Sequence, residues 1–167
     1  IRERIFEPLG MENSNTSINQ MKKSEDYATP YWQSPNGPIR IENWNVDVGG
    51  PAASINSTLH DMLRWLQFNI DEGVTSDGKR LISKETLMQL HTPQVPYRIW
   101  PWEFDETPPS GCYAMGWYND VYRGNPLYFH IGEIEGYGTM LWVLPRQRTG
   151  IVVFNNIHKP CVLIETA

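Results

Sequence analysis

The segment from Phe129 to Tyr137 carries the groups best suited to chemistry. It reads Phe-His-Ile-Gly-Glu-Ile-Glu-Gly-Tyr, with His130 followed by glycines at positions 132 and 136. Histidine changes its protonation near neutral pH and can therefore move protons. Glycine lets a backbone approach a ligand closely and adopt positive φ. The segment alone leaves two interpretations open: a reactive strand end, or a plain turn that contains a buried histidine.

The other polar side chains form no recognisable site. The four histidines show no metal-ligand spacing, and neither Cys112 nor Cys161 lies near a second cysteine, which argues against a structural zinc. No glycine-rich phosphate loop occurs. We predict no cofactor and no metal, and we interpret His60-Asp61 as surface and helix-cap residues.

Two helices are predicted ahead of this segment. The first runs from about Thr58 to Asp71, because Leu59, Met62, Leu63, Leu66 and Ile70 recur on one face. Thr58 is a good N-cap, with Asp61 at the third helical position. The second runs from about Lys84 to Leu90, capped by Ser83 and stopped by Pro93.

From Tyr113 onwards the pattern becomes β. Residues 113–118, Leu127–His130, Thr139–Leu144 and Ile151–Asn155 are rich in β-branched and aromatic residues, and short turns separate them. A glycine-bearing turn over 131–136 is predicted between the second and third strands. Such spacing is typical of sequential antiparallel strands. The expected fold class is α+β, an antiparallel β-meander packed against helices.

The rest of the chain is predicted to be irregular. Residues 1–7 look like a helix end closed by Pro8 and Gly10, and residues 12–50 read as a long excursion with a turn at Pro35-Asn36-Gly37 and short strands near Ile39–Ile41. Residues 92–112 contain an aromatic run at 100–104. Those rings are either local core or a rim that faces a substrate.

Composition bounds the class of protein. The chain has 167 residues, of which 40% are hydrophobic and 20% charged, typical of a globular domain. The net charge of −5 comes without a basic stripe, which argues against nucleic acid and anionic membrane surfaces. No apolar run is long enough for a membrane span. The two cysteines allow one disulfide or two free thiols, and the sequons at Asn15 and Asn56 accept glycan only in a secreted protein.

Four stretches, in order, carry a resemblance to a known family. They are Ile5–Met11, Ala52–Asp61, Tyr113-Ala114-Met115-Gly116-Trp117, and His130-x-Gly132 followed by Gly136-Tyr137. The chain resembles the serine β-lactamases and penicillin-binding proteins, together with related esterases and D-aminopeptidases, from residue 1 to about 157. The resemblance implies a partial β-lactamase/transpeptidase-like fold.

The resemblance also implies a mechanism and a set of site residues. A serine in a Ser-x-x-Lys motif attacks a carbonyl and forms an acyl-enzyme that water resolves. His130 takes the place of the basic residue in the family's Lys-Thr-Gly motif, Gly132 is the motif glycine, and the Glu133 N–H supplies one oxyanion-hole donor. The implied partner is a small-molecule or peptide substrate.

The resemblance further implies that part of the domain is missing. The Ser-x-x-Lys match at Ser76–Lys79 lies in a polar loop with an Asp-Gly turn, whereas the motif needs a helix start. Ser54-Ile55-Asn56 precedes it, which reverses the family order, and no Tyr-x-Asn occurs. We therefore expect residues 1–167 to be the C-terminal part of a single domain, inactive alone, whose catalytic N-terminal half lies upstream.

Two departures support an alternative. Glu133 stands where the family has glycine, and Glu135 where it has proline. A carboxylate near an oxyanion hole repels an anionic substrate or transition state. The alternative is a secreted, catalytically repurposed homologue that acts as a binding or extracellular, shell-matrix protein. An upstream Ser-x-x-Lys and Tyr-x-Asn would favour the enzyme.

Overall fold

A computed structural model describes residues 1–97 and 111–158. They form two compact units, each with its own packing. Of these residues, the first unit contains Ile1–Arg64, Ile131–Met140 and those from Val152 to His158, and the second contains those between Trp65 and His130 together with Leu141–Ile151. The predicted aromatic run at 100–104 and Cys161 lie outside the described residues, so the predictions made for them stay predictions.

The helices are short, with one exception. They are α1 (Glu7–Leu9), which continues a π-helical turn at Arg2–Phe6, α2 (Ile18–Met21), α3 (Gly50–Ala53), α4 (Leu59–Ile70) and α5 (Lys84–His91), with 3₁₀ turns at Asp47–Gly49 and Pro145–Gln147. None of the helices in the described ranges is long and apolar enough to cross a membrane.

Within the described residues, nine strands form two sheets. They are β1 (Tyr31–Ser34), β2 (Gly37–Arg40), β3 (Val95–Tyr97), β4 (Gly111–Tyr113), β5 (Tyr118–Tyr122), β6 (Asn125–Ile134), β7 (Tyr137–Leu144), β8 (Thr149–Asn155) and β9 (Ile157–His158). Six of them lie in the order β3-β4-β5-β6-β7-β8. The predicted meander is confirmed for β5 to β8, whereas β3 and most of β4 form where residues 92–112 were predicted to be a loop. The smaller sheet has the order β2-β1-β9, with β1 and β9 parallel. The predicted α+β class is confirmed.

Local sequence signals explain where most elements begin and end. The Thr58 hydroxyl accepts a hydrogen bond from the Asp61 amide at 3.2 Å, and Ser83 accepts one from the Thr86 amide at 3.1 Å, so both predicted caps are confirmed. The β5–β6 turn has positive φ at Arg123 and Gly124, the conformation that a two-residue hairpin requires. Gly10, with φ of 67°, ends α1.

One apolar cluster of the second unit forms on one side of β6. Leu127 and Phe129 are buried, and Tyr118, Trp142 and Leu144 pack against them. Their alternation with half-buried Tyr128 and His130 is the predicted one. Gly150 in β8 allows α4 to pack closely, because a β-carbon there would lie 3.1 Å from Leu66.

Three boundary predictions were wrong, and the apolar face of α4 is only partly buried. Pro8 lies inside α1, and residues 114–117 form the β4–β5 turn instead of a strand. Leu59 and Leu63 are half exposed, so the apolar face of α4 is buried only in its C-terminal part. The predicted turn over 131–136 is confined to its last two residues, because β6 continues to Ile134.

Candidate active-site strand

His130 lies in β6 beside two tyrosines of the second unit. Its Nε2 is 3.1 Å from the Tyr113 hydroxyl oxygen, a hydrogen bond whose direction depends on the tautomer. The ring centroid of Tyr118 lies 5.1 Å from that of His130. Register explains the arrangement, because Tyr113 pairs with Tyr118 across the β4–β5 hairpin and Tyr118 pairs with Phe129 across β5–β6.

The rings of Tyr97, Tyr113 and Tyr118 form a cluster in which only Tyr97 is exposed. Tyr97 lies with its ring centroid 5.2 Å from that of Tyr118. Burial raises the pKa of Tyr118 to about 12, and a hydrogen bond with Tyr97 and the neighbouring phenol groups act in the same direction. The Tyr118 phenol is therefore neutral at physiological pH and can only offer or accept hydrogen bonds.

Gly132 lies within β6 and is packed against β7. A β-carbon at this position would lie 2.7 Å from the Thr139 Oγ1, closer than real β-carbons come. Its role in the turn was predicted wrongly, since the tight turn between β6 and β7 is at Gly136, with φ of 81°. Close approach of the neighbouring strand, and not positive φ, explains glycine at position 132.

Glu133 also lies in the strand, and its side chain has defined neighbours in the first unit. Its Oε1 is 3.3 Å from the His158 Nδ1, an ion-pair distance without hydrogen-bond geometry. The His158 ring stacks on the Trp32 ring, with centroids 4.1 Å apart and planes 7° from parallel. Trp32 and His158 are register partners in the parallel β1–β9 pair.

The β6–β7 turn is anchored to the same unit. A β-carbon on Gly136 would overlap Pro30, so this position too requires glycine. The Tyr137 hydroxyl lies 2.6 Å from the Ala28 carbonyl oxygen and 2.7 Å from Asn43 Oδ1, both acceptors. Burial raises the pKa of Tyr137 above its ordinary value. These contacts hold the end of β6 in a fixed conformation.

A cavity near described side chains lies away from the three predicted site residues. A cavity of about 800 Å³ in the second unit is lined by Leu87 and His91 of α5 and by Cys112, Tyr128 and Val143 of the sheet. None of the three predicted site residues lines it.

His91 is an aromatic core residue of that second unit. It is 8% exposed and stacks on Tyr128, with ring centroids 4.4 Å apart, while Trp117 meets it edge-on at 5.1 Å. Burial lowers the pKa of His91 to about 4. The imidazole is therefore neutral at physiological pH.

The predictions for Ser76 and Asp61 had different outcomes. Ser76 is exposed in a loop, closed by a Val74–Arg80 bridge, where Gly78 has φ of 85°; this agrees with its rejection as a nucleophile. Asp61 was predicted at the surface, but it is fully buried. Its Oδ2 accepts hydrogen bonds of 2.8 Å from the Asn13 amide and the Ser14 hydroxyl.

Sequence reasoning also missed three residues near the predicted site. Tyr113 belongs to one of the four motif stretches. The signal for its position beside His130 was the antiparallel pairing of the strands that carry Tyr113 and Tyr118. Trp32 and His158 had no local signal, because they come from distant parts of the chain. Within residues 1–97 and 111–158, no group of three His, Cys, Asp or Glu side chains is placed to hold a metal.

Comparison with solved structures agrees with the fold. The octameric penicillin-binding protein homologue from Pyrococcus abyssi superimposes with a TM-score of 0.71 at 21% identity, covering 93% of this chain and 32% of that one. At this identity the likeness shows the fold: the described elements match a partial β-lactamase/transpeptidase-like domain.

Sequence comparison identifies the family. The chain is similar to the unguisins hydrolase ungD' of Aspergillus campestris (strain IBT 28561), with 27% identity over 93% of this chain and 28% of that protein. It is also similar to penicillin-binding protein 4 of Amycolatopsis lactamdurans, with 26% identity over 87% of this chain and 37% of that protein. The chain thus spans about a third of the length of these relatives. The beta-lactamase family model matches residues 1–162, and the chain therefore belongs to the β-lactamase family.

Proposed function

We propose that this chain is the C-terminal part of a serine hydrolase that cuts amide or ester bonds through an acyl-enzyme. The observation that carries the proposal is the His130-x-Gly132 strand, with the His130 imidazole hydrogen-bonded to Tyr113 at 3.1 Å. A proton-carrying side chain held by a fixed partner is suited to positioned acid–base work. The substrate class is a small molecule or peptide.

In this proposal His130 takes part in proton transfer at the site. It stands where related sequences have the basic residue of the Lys-Thr-Gly motif. Its partner Tyr113 orients the ring, and the neutral Tyr118 phenol lines one side of it. A histidine so held can position the substrate and assist transfer of a proton to or from the serine.

In this proposal the backbone after His130 provides electrostatic stabilisation of the transition state. The Glu133 N–H is the proposed oxyanion-hole donor, and such a donor contributes on the order of 3 kcal/mol to transition-state stabilisation. The close packing of Gly132 against Thr139 supports this role, since it holds the preceding backbone in place. A donor that does not have to reorganise stabilises developing charge most effectively.

The nucleophile belongs to another part of the protein in this proposal. The chain covers 28% and 37% of the two relatives, which leaves room for a Ser-x-x-Lys helix and a tyrosine loop upstream. The half-exposed apolar side chains of Leu59 and Leu63 support a further packing partner for α4.

A labelling experiment tests the proposal. The full-length protein, treated with a fluorophosphonate or fluorescent penicillin, should become covalently labelled on one serine upstream of Ile1. Mass spectrometry locates the labelled residue. A full-length protein that has no Ser-x-x-Lys, takes no label and hydrolyses no amide or ester substrate would contradict it.

The second candidate is a secreted, catalytically repurposed homologue with a binding or matrix role. The presence of the Glu133 carboxylate where the family has glycine favours it, because negative charge at an oxyanion donor opposes the usual chemistry. The upstream sequence and the labelling result distinguish this candidate from the serine hydrolase. Glycan on Asn15 or Asn56 of the natural protein would support the secreted location.

A further inference from the structure

His158 is the basic side chain that faces Glu133 in the first unit. Its Nδ1 lies 3.3 Å from the Glu133 Oε1, and the two side chains are 30% and 33% exposed. Among residues 1–97 and 111–158, no second lysine, arginine or histidine forms an ion pair with this carboxylate. The carboxylate therefore depends on one neighbour for electrostatic compensation.

Two kinds of contact fix the His158 imidazole. Its ring stacks on the Trp32 ring, with centroids 4.1 Å apart and planes 7° from parallel. The backbone beside it is held as well, since the Tyr31 amide donates a 3.0 Å hydrogen bond to the Asn156 carbonyl oxygen, and the Asn156 side-chain amide donates one of 2.8 Å to the Thr29 carbonyl oxygen. The imidazole is therefore held in place independently of its contact with the carboxylate.

We propose that His158, held in place by Trp32, is a positioning residue that fixes the Glu133 carboxylate and offsets its charge, so that the backbone N–H of Glu133 can stabilise an oxyanion. This inference rests on the proposed function, because it uses that N–H as the oxyanion donor. It goes beyond that function by assigning roles to two residues, His158 and Trp32, that lie outside the four motif stretches.

The charge of Glu133 is the observation that the inference explains. An uncompensated carboxylate on the donor residue repels the negative charge that develops on the carbonyl oxygen in the transition state. A hydrogen on the His158 Nδ1, present in the imidazolium and in one neutral tautomer, attracts the carboxylate and offsets its field at the donor. A glycine at position 133 would have no charge to offset, so the role of His158 depends on the presence of Glu133.

The test is a double-mutant cycle on the full-length protein, with the neutral ester p-nitrophenyl acetate as substrate. His158→Phe keeps a ring to stack on Trp32 but removes the nitrogen that faces Glu133, and Glu133→Gln removes the charge but keeps the shape of the side chain. We expect His158→Phe to lower kcat about three- to tenfold with little change in KM, because the negative charge forms only in the transition state. In the Glu133→Gln background the same change should alter kcat by less than about twofold.

Two exposed residues of the first unit provide matched controls. His60→Phe replaces a histidine whose side chain is 70% exposed, and Trp44→Leu replaces a tryptophan that is 58% exposed. Neither control should change kcat. Trp32→Leu, which removes the ring on which His158 stacks, should lower kcat only while Glu133 keeps its carboxylate.

Unfolding measurements on the four proteins of the cycle distinguish this inference from the proposed function, since they require no catalysis. Non-additive changes in the free energy of unfolding, together with a kinetic loss that depends on Glu133, support the inference. Additive changes, an equal loss of kcat in both backgrounds, or a rise in kcat of more than about tenfold in Glu133→Gln would overturn it. A wild-type protein that takes no fluorophosphonate label and hydrolyses no ester contradicts the proposed function and removes the role inferred for His158, even where unfolding shows that the two side chains are coupled.

Discussion

The Tyr113 hydroxyl lies 3.1 Å from the Nε2 of His130, and this contact joins two of the four stretches that resemble the family motifs. The β4–β5–β6 register brings the two residues together although 17 positions separate them. Because one ring nitrogen is engaged by a phenol, the orientation of the imidazole is set by the sheet.

If the full-length protein is the proposed hydrolase, removal of His130 and removal of the Tyr113 hydroxyl should lower its turnover to different degrees. His130→Ala should lower kcat about 10²–10⁴-fold, the span for a positioned acid–base group. Tyr113→Phe should lower it only about tenfold, because it removes one hydrogen bond and keeps the ring. Steady-state kinetics and circular dichroism on both variants check this. Unchanged turnover in His130→Ala would make it a structural histidine.

The isolated 167-residue chain should have no hydrolase activity. Ser76 lies in a turn and no other serine here has the required lysine, so no acyl-enzyme can form. A fluorophosphonate label on the isolated chain, followed by peptide mapping, provides the measurement. The unfolded chain serves as a control for nonspecific modification. Labelling of Ser76 that occurs only in the folded chain would contradict this prediction.

Acid should destabilise the second unit through His91. Its folded pKa of about 4 lies below the ordinary value of 6.5, so the unfolded chain binds the proton first. Stability should be full above about pH 6.5 and fall as pH decreases towards 4, by at most about 3 kcal/mol. Urea unfolding at several pH values should show that the free energy of unfolding depends less on pH in His91→Phe. His60→Gln, which removes an exposed imidazole, is the control, and an equal change in both variants would exclude His91 as the cause.

Loss of Asp61 should destabilise the first unit. Asp61→Ala leaves the Asn13 amide and the Ser14 hydroxyl without their buried acceptor, at a cost of about 2–4 kcal/mol. Thermal and denaturant unfolding measure the difference. Glu12→Ala removes a neighbouring exposed carboxylate and should change stability by less than about 0.5 kcal/mol. Similar losses in the two variants would show that burial of the Asp61 carboxylate contributes little.

Local signals determined the elements of this protein. The caps at Thr58 and Ser83, the Arg123-Gly124 turn and the alternation of Leu127 and Phe129 all follow from interactions within a few residues, which the sequence contains directly. The order of the meander follows as well, because short turns leave sequential strands no other partner.

Only the tertiary structure decided what those elements bring together. Gly132 could belong to a turn or to a crowded strand, and the approach of Thr139 decides for the strand. The burial of Asp61 depends on a loop almost fifty residues away in the chain. Trp32 and His158 reach Glu133 through a parallel β1–β9 pair, which joins distant segments without any local pattern. Contacts of this kind depend on which strands pair and in what register. The local sequence around each contacting residue does not determine that pairing.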